Sequence, residues 1–93
     1  MFKTNEYFDG KVKSIAFNTL DCPATIGVMA AGEYEFSTSS IEHMTVVSGK
    51  LIAKLPDTED WKIYSARETF VVEKDKKFQL IVKEESAYFC LYK

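Results

Sequence analysis

Apolar and polar residues alternate in steps of two along much of this chain, and no window carries an apolar stripe at helical spacing. In GEYEFST, Tyr34, Phe36 and Thr38 fall on one face and Glu33, Glu35 and Ser37 on the other. KLIAKL sets Leu51, Ala53 and Leu55 against Lys50, Ile52 and Lys54. KFQLIVK groups Phe78, Leu80 and Val82, and AYFCLY groups Tyr88, Cys90 and Tyr92. A period of two marks a strand with one buried face, because successive side chains leave the pleated backbone on opposite sides. The early run KVKSIAF starts the same way and breaks its parity at Ser14 and Ile15, which suits a β-bulge.

Turn signals punctuate these runs at short intervals: Asp9-Gly10, Asp21-Cys22-Pro23, Ala31-Gly32, Ser48-Gly49, Leu55-Pro56-Asp57 and the polar Glu73 to Lys77. Many short strands with regular punctuation predict an all-β barrel or sandwich of about eight to ten strands. At 93 residues, with no linker or repeat, the expectation is a single domain over residues 1–93. So short a chain buries only about 60–65% of the surface its unfolded form exposes, so association would add stability.

Composition narrows the functional classes. The chain is 46% hydrophobic and 14% aromatic, ample for a packed core and unlike a disordered tail. A net charge of −2 offers no basic face for nucleic acid and no attraction to an anionic membrane. No segment approaches the roughly 20 apolar residues of a membrane span, and the N-terminus has no apolar run of signal-peptide length. Cys22 and Cys90 therefore read as two reduced thiols of a cytoplasmic domain rather than a disulfide framework. With His43 they make a poor start on a zinc site.

The stretch EHMTVVSGKL, Glu42 to Leu51, holds the spacing Glu-x6-Gly between Glu42 and Gly49. It resembles the back half of the first motif of cupin barrels, in which two histidines upstream of the glutamate help to hold a metal. Upstream here stands GEYEFSTSSI, without histidine. Phe36 and Thr38 occupy positions where ligands would be expected, and neither offers an imidazole nitrogen. His43, adjacent to Glu42, leaves a strand on the opposite face. Metal-dependent chemistry such as dioxygenation is accordingly disfavoured.

Longer blocks carry a more specific likeness. NEYFDGKVKSIAF, GVMAAGEYEFST, EHMTVVSGKL, LPDTEDW and YFCLY resemble the small cupins of the pyrimidine/purine nucleoside phosphorylase family, from Asn5 to Tyr92. The resemblance implies a double-stranded β-helix, a homodimer, no required metal or cofactor, and cleavage of many ribonucleosides by inorganic phosphate. Departures from the usual family pattern at Ala66-Arg67, Val72-Glu73-Lys74 and Leu91 motivate a rival reading. That rival is a cupin that binds a nucleoside or sugar phosphate without converting it.

Phosphorolysis needs acceptors for the ribose hydroxyls, a surface for the base, a phosphate site and stabilisation of an oxocarbenium-like transition state. Glu42 and Glu33 are the candidate catalytic carboxylates. Glu42 either points inward beside Met44, which demands a hydrogen-bonding or functional role, or reaches solvent at a strand end. Tyr34, Phe36, Tyr88 and Tyr92 are candidate stacking surfaces, with Thr38 and Met44 beside them. The same aromatics equally suit core packing. For phosphate, Arg67, the only arginine, and Ser37 are candidates, alongside amides near Gly32 or Gly49. Cys90 has no adjacent base and reads as packing.

Overall fold

The computed structural model describes residues 1–93 and contains ten strands. They are β1 (Thr4–Tyr7), β2 (Val12–Asn18), β3 (Pro23–Met29), β4 (Gly32–Ser37), β5 (Glu42–Ser48), β6 (Lys50–Lys54), β7 (Trp61–Ser65), β8 (Thr69–Val72), β9 (Lys77–Val82) and β10 (Ser86–Tyr92). Every pairing is antiparallel. One sheet has the order β1-β2-β3-β10-β5-β8 and the other β4-β9-β6-β7. The predicted turns fall between strands, and several need left-handed backbone: Asp9, Gly10, Gly49, Asp57 and Asp75 all have positive φ.

The predicted alternation sets which faces meet. From the four-stranded sheet Tyr34, Leu51, Ala53, Phe78, Leu80 and Val82 point into the core. From the six-stranded sheet come Met29, Met44, Val46, Val72, Tyr88 and Cys90. Aromatic contacts bridge the sheets along both margins. Tyr64 on β7 meets Phe70 on β8 at 4.7 Å between centroids, and Phe8, in the β1–β2 turn, meets Tyr34 at 5.0 Å and Phe36 at 5.5 Å.

The bulge expected at Ser14 and Ile15 is not there. β2 pairs with β3 in unbroken register from Val12 to Asn18. Ser14 keeps the inward parity of Val12 and is 3% exposed although polar. Its hydroxyl accepts from Asn5 Nδ2 at 3.4 Å, so polarity there reflects an inner hydrogen bond and not a change of face. The irregularity lies between β10 and β5, where Ala87 pairs with Ser48 but Tyr88 pairs with Val46, leaving Val47 as the extra residue.

Candidate functional site

Three neighbouring rungs of the six-stranded sheet concentrate polar groups on its inner face. The first runs Asn5, Ser14, Gly27, Tyr88, Val46 across β1, β2, β3, β10 and β5. The second runs Ala16, Thr25, Cys90, Met44, Phe70, and the third pairs Tyr92 with Glu42 and Glu42 with Val72. Beyond the first rung Val12 pairs with Met29 and the interior turns apolar. The polar groups thus occupy one end of the barrel.

Hydrogen bonds tie this patch together across long sequence separations. Thr25 Oγ1 and Tyr92 Oη share one of 2.8 Å. Cys90 Sγ donates to Glu42 Oε1 at 3.7 Å, a weak bond and the single protein donor to that carboxylate. Gly27 has a steric role: a Cβ there would lie 2.6 Å from the Tyr88 ring, so the missing side chain lets the phenol lie across β3.

The electrostatics follow from partial burial. Burial raises the Glu42 carboxyl above its ordinary 4.5, and the Cys90 contact offsets part of that rise. Burial, with Glu42's charge next in size, pushes the Cys90 thiol up to about 12, so it stays protonated and is no nucleophile at neutral pH. Burial pushes the Tyr88 phenol up to about 12, and Tyr92 is raised as well. Both phenols are protonated donors at neutral pH.

A cleft of about 630 Å³ borders one side of this patch, where it reaches Asn5, Thr25 and Tyr92 and continues to Phe17 and Ala24. Asn5, Tyr7, Ala16, Thr25 and Tyr92 line it from the sheet, and residues Met1, Phe2 and Lys3 border it. Lys3 is its one basic side chain. The volume lies within the range of small-molecule sites, about 300–1,000 Å³. Glu42 stands one strand beyond Tyr92.

The structure separates the sequence candidates. Glu42, Met44, Tyr88 and Tyr92 come together on the inner face of one sheet. Tyr34 and Phe36 lie on the opposite sheet. Tyr34 Oη donates to Ala30 O at 2.6 Å, and Phe36 stacks on Phe78 at 5.6 Å, so both are packing residues. Thr38 is buried but committed: its hydroxyl donates to Glu73 O at 2.7 Å and accepts from Lys76 N at 3.0 Å, tying the end of β4 to the β8–β9 turn. Glu33 and Ser37 project from the exposed side of β4, opposite in parity to Tyr34, which removes them from the interior. Arg67 is exposed in the β7–β8 turn with φ 73°, and its backbone N–H donates to Val46 O at 2.7 Å, so its place is that of an exposed turn residue tied to β5 through its backbone. Sequence reasoning missed Lys3, Asn5, Ser14, Thr25 and Gly27. A strand-interior glycine flanked by Thr25 and Met29 is a signal of close approach that could have found part of this set.

The fold invites the question of a resident metal, and the side chains do not fit one. No three His, Cys, Asp or Glu side chains come together anywhere in the chain. On the inner face Glu42 and Cys90 are the two ligand types present, and the thiol is held protonated. His43 pairs with Leu91 and Val71 on the outer face.

Comparison with known proteins decides the family. The model of the pyrimidine/purine nucleoside phosphorylase family matches residues 2–92. The chain belongs to that family. A pyrimidine/purine nucleoside phosphorylase of Pseudomonas fluorescens is 61% identical over 93 residues, covering 100% of this chain and 99% of the relative. A crystal structure of a Vibrio parahaemolyticus protein of unknown function is 45% identical and superposes with a TM-score of 0.96, covering 100% of this chain and 99% of that one. An RmlC-like cupin from Shewanella frigidimarina, 14% identical, superposes with a TM-score of 0.75 over 98% of this chain and 82% of its own. The fold is that of a cupin, and the expected all-β architecture is what the structure and its structural neighbours show. No helix is long and apolar enough to cross a membrane.

Proposed function

We propose that this chain is a nucleoside phosphorylase acting on purine and pyrimidine ribonucleosides without a metal and without a covalent enzyme intermediate. Hydrogen phosphate attacks C1′ of the ribose as the C1′–N bond breaks. The base leaves with that bond's electron pair and takes the proton that the phosphate gives up. Ribose 1-phosphate and free base are the products. In this reading the protein works in the cytoplasm as a homodimer.

The observation that carries the reading is Glu42: a half-buried carboxylate, held by one weak donor, one strand beyond Tyr92, which with Asn5 and Thr25 lines a cleft of nucleoside size. Positive charge grows on the sugar as the base departs. An ionised carboxylate in a partly dry site stabilises that charge more than it stabilises the neutral ground state. Asn5 and Thr25 supply partners for ribose hydroxyls, and Lys3 at the cleft border is a cation for phosphate. Tyr92 offers a ring face to the base. Stacking accepts any ring, so broad base tolerance follows where hydrogen bonds do not select.

The test is turnover by chelator-treated protein. Uridine, cytidine, adenosine, inosine and guanosine are incubated with and without phosphate, and free base and ribose 1-phosphate are measured. Phosphate-dependent release from several of them is expected. Folded protein that is heat-stabilised by nucleosides yet releases nothing would sink the reading in favour of a binding module.

A further inference from the structure

Glu42 opens β5, so its side chain stands where a strand end meets solvent, and burial disfavours its charge. The usual means of holding a carboxylate inside are absent. None of the chain's three ion pairs involves it. Tyr92, its direct partner on β10, shares its hydroxyl with Thr25 at 2.8 Å. Cys90 alone reaches it, Sγ to Oε1 at 3.7 Å. Cys90 pairs with Met44, two residues along β5, so the contact runs diagonally across the β10–β5 ladder. That diagonal draws the carboxylate away from the strand end and toward the second polar rung. The thiol is 0% exposed, and its other acceptor, Leu91 O at 3.8 Å, belongs to the next residue.

We propose that Cys90 is a positioning residue for Glu42, its thiol holding the carboxylate on the inner face and leaving the remaining lone pairs free for a ligand. A thiol suits this task on two counts. It packs as a small apolar group where a buried hydroxyl would demand its full set of partners. As a weak donor it orients the carboxylate while occupying one of about four acceptor sites and neutralising little of its charge. No other group facing Glu42 does the same. The titratable side chains on inner positions around it are Tyr88 and Tyr92 on β10, Tyr7 on β1, and Tyr34 and Tyr64 on the facing sheet. None of these phenols donates to it. The charged residues of the adjoining β8–β9 turn, Glu73 to Lys76, and Lys93 are exposed, and His43 leaves β5 on the other face. The consequence for turnover rests on the phosphorylase reading, whereas the contact itself is read without turnover.

The experiment is a carbon-13 titration of the Glu42 carboxyl in the full chain, its resonance identified by its loss in Glu42→Gln. The parent carboxyl is expected to titrate above the ordinary 4.5. In Cys90→Ala the freed side chain is expected to swing to solvent and its titration to fall back to the ordinary value. A misplaced catalytic group costs up to about 100-fold, so kcat/KM is expected to drop roughly 10-fold, with its acid limb moving down alongside the titration. Val12→Ala truncates an equally buried side chain at the apolar end of the barrel. It is expected to lower the melting temperature and leave the titration and pH profile as in the parent. If Cys90→Ala does not fold, the infrared S–H stretch of the parent decides, with the Cys22 band removed by Cys22→Ser. The Cys90 band is expected to move to lower wavenumber as Glu42 ionises and to stay fixed in Glu42→Gln. A Glu42 titration that stays raised or rises further in Cys90→Ala would overturn the inference, because burial alone would then hold the carboxylate. So would an S–H band indifferent to pH in the parent, or Val12→Ala moving the titration as far. A titration that falls in Cys90→Ala, in a protein whose parent cleaves no nucleoside, would sustain the contact and sink the phosphorylase reading alone.

Discussion

On the inner face of the four-stranded sheet, Tyr34 donates its hydroxyl to Ala30 O and its neighbours Phe36 and Phe78 stack on one another. Across the core, Tyr92 shares a hydrogen bond with Thr25 at the wall of an open cleft, Tyr88 lies over a glycine, and Glu42, one strand beyond Tyr92, holds one weak donor. Both faces are rich in tyrosine, so residue type does not tell them apart. What differs is where the polar atoms point. On one face they complete the protein's own hydrogen bonds along an apolar wall. On the other they cluster at a barrel end that solvent or a ligand can reach. Both sheets supply the core, and the six-stranded sheet is the one whose inner face also carries the polar groups at a barrel end.

The comparison can be broken by mutation. The largest effect is expected from Phe78→Ala, which empties a 2% exposed position in the core wall. It should cost about 3–5 kcal/mol, a large share of the stability of a domain this small. Chemical denaturation measures it, and activity per folded molecule should be unchanged. Gly27→Ala comes next. The added methyl meets the Tyr88 ring, and overpacking there should cost about 1–3 kcal/mol and lower turnover, because the phenol must move.

A sharper pair removes the same hydroxyl from each sheet. Tyr34→Phe and Tyr92→Phe each lose one hydrogen bond, worth about 0.5–1.5 kcal/mol, and each should lower the melting temperature by several degrees. Only Tyr92→Phe should also reduce kcat/KM. Equal kinetic losses in both would abolish the division between the sheets.

The smallest effect concerns pH and Glu42. Its folded pKa is raised, so the native state binds the proton more tightly than the unfolded chain does. Ionisation therefore costs stability as pH rises through the ordinary 4.5 toward the raised value, and the penalty persists above it. Glu42→Gln should melt higher than the parent at neutral pH, and the gap should close as pH falls below the ordinary value. Thermal melts across that range check the sign. A gap that widens toward acid would mean the carboxylate is stabilised by the fold.

Much of the architecture was legible in the sequence, and the failures have physical causes. Alternation placed β4, β6, β9 and β10 correctly because each buries one face against the core. β3, reading PATIGVM, shows no such contrast: its outward Ala24, Ile26 and Val28 are as apolar as its inward Thr25, Gly27 and Met29. Ser14 mimicked a bulge because a polar residue is kept on the inner face. Glu42 was visible through its spacing to Gly49. Its neighbours were not, since the Thr25–Tyr92 bond spans 67 residues of sequence. Tyr34, Phe36 and Thr38 drew the eye as an aromatic face, but only contacts show that their polar atoms are already engaged.

The most direct measurement is kcat/KM for phosphate-dependent nucleoside cleavage by Glu42→Gln and Glu33→Gln beside the parent, with each shown folded. The inner carboxylate should matter and the outer one should not. Glu42→Gln is predicted to fall roughly 100-fold or more, the scale of losing one electrostatic contact to a transition state. Glu33→Gln is predicted to stay within about twofold of the parent. Full activity in Glu42→Gln, or an equal loss in Glu33→Gln, would contradict the site described here.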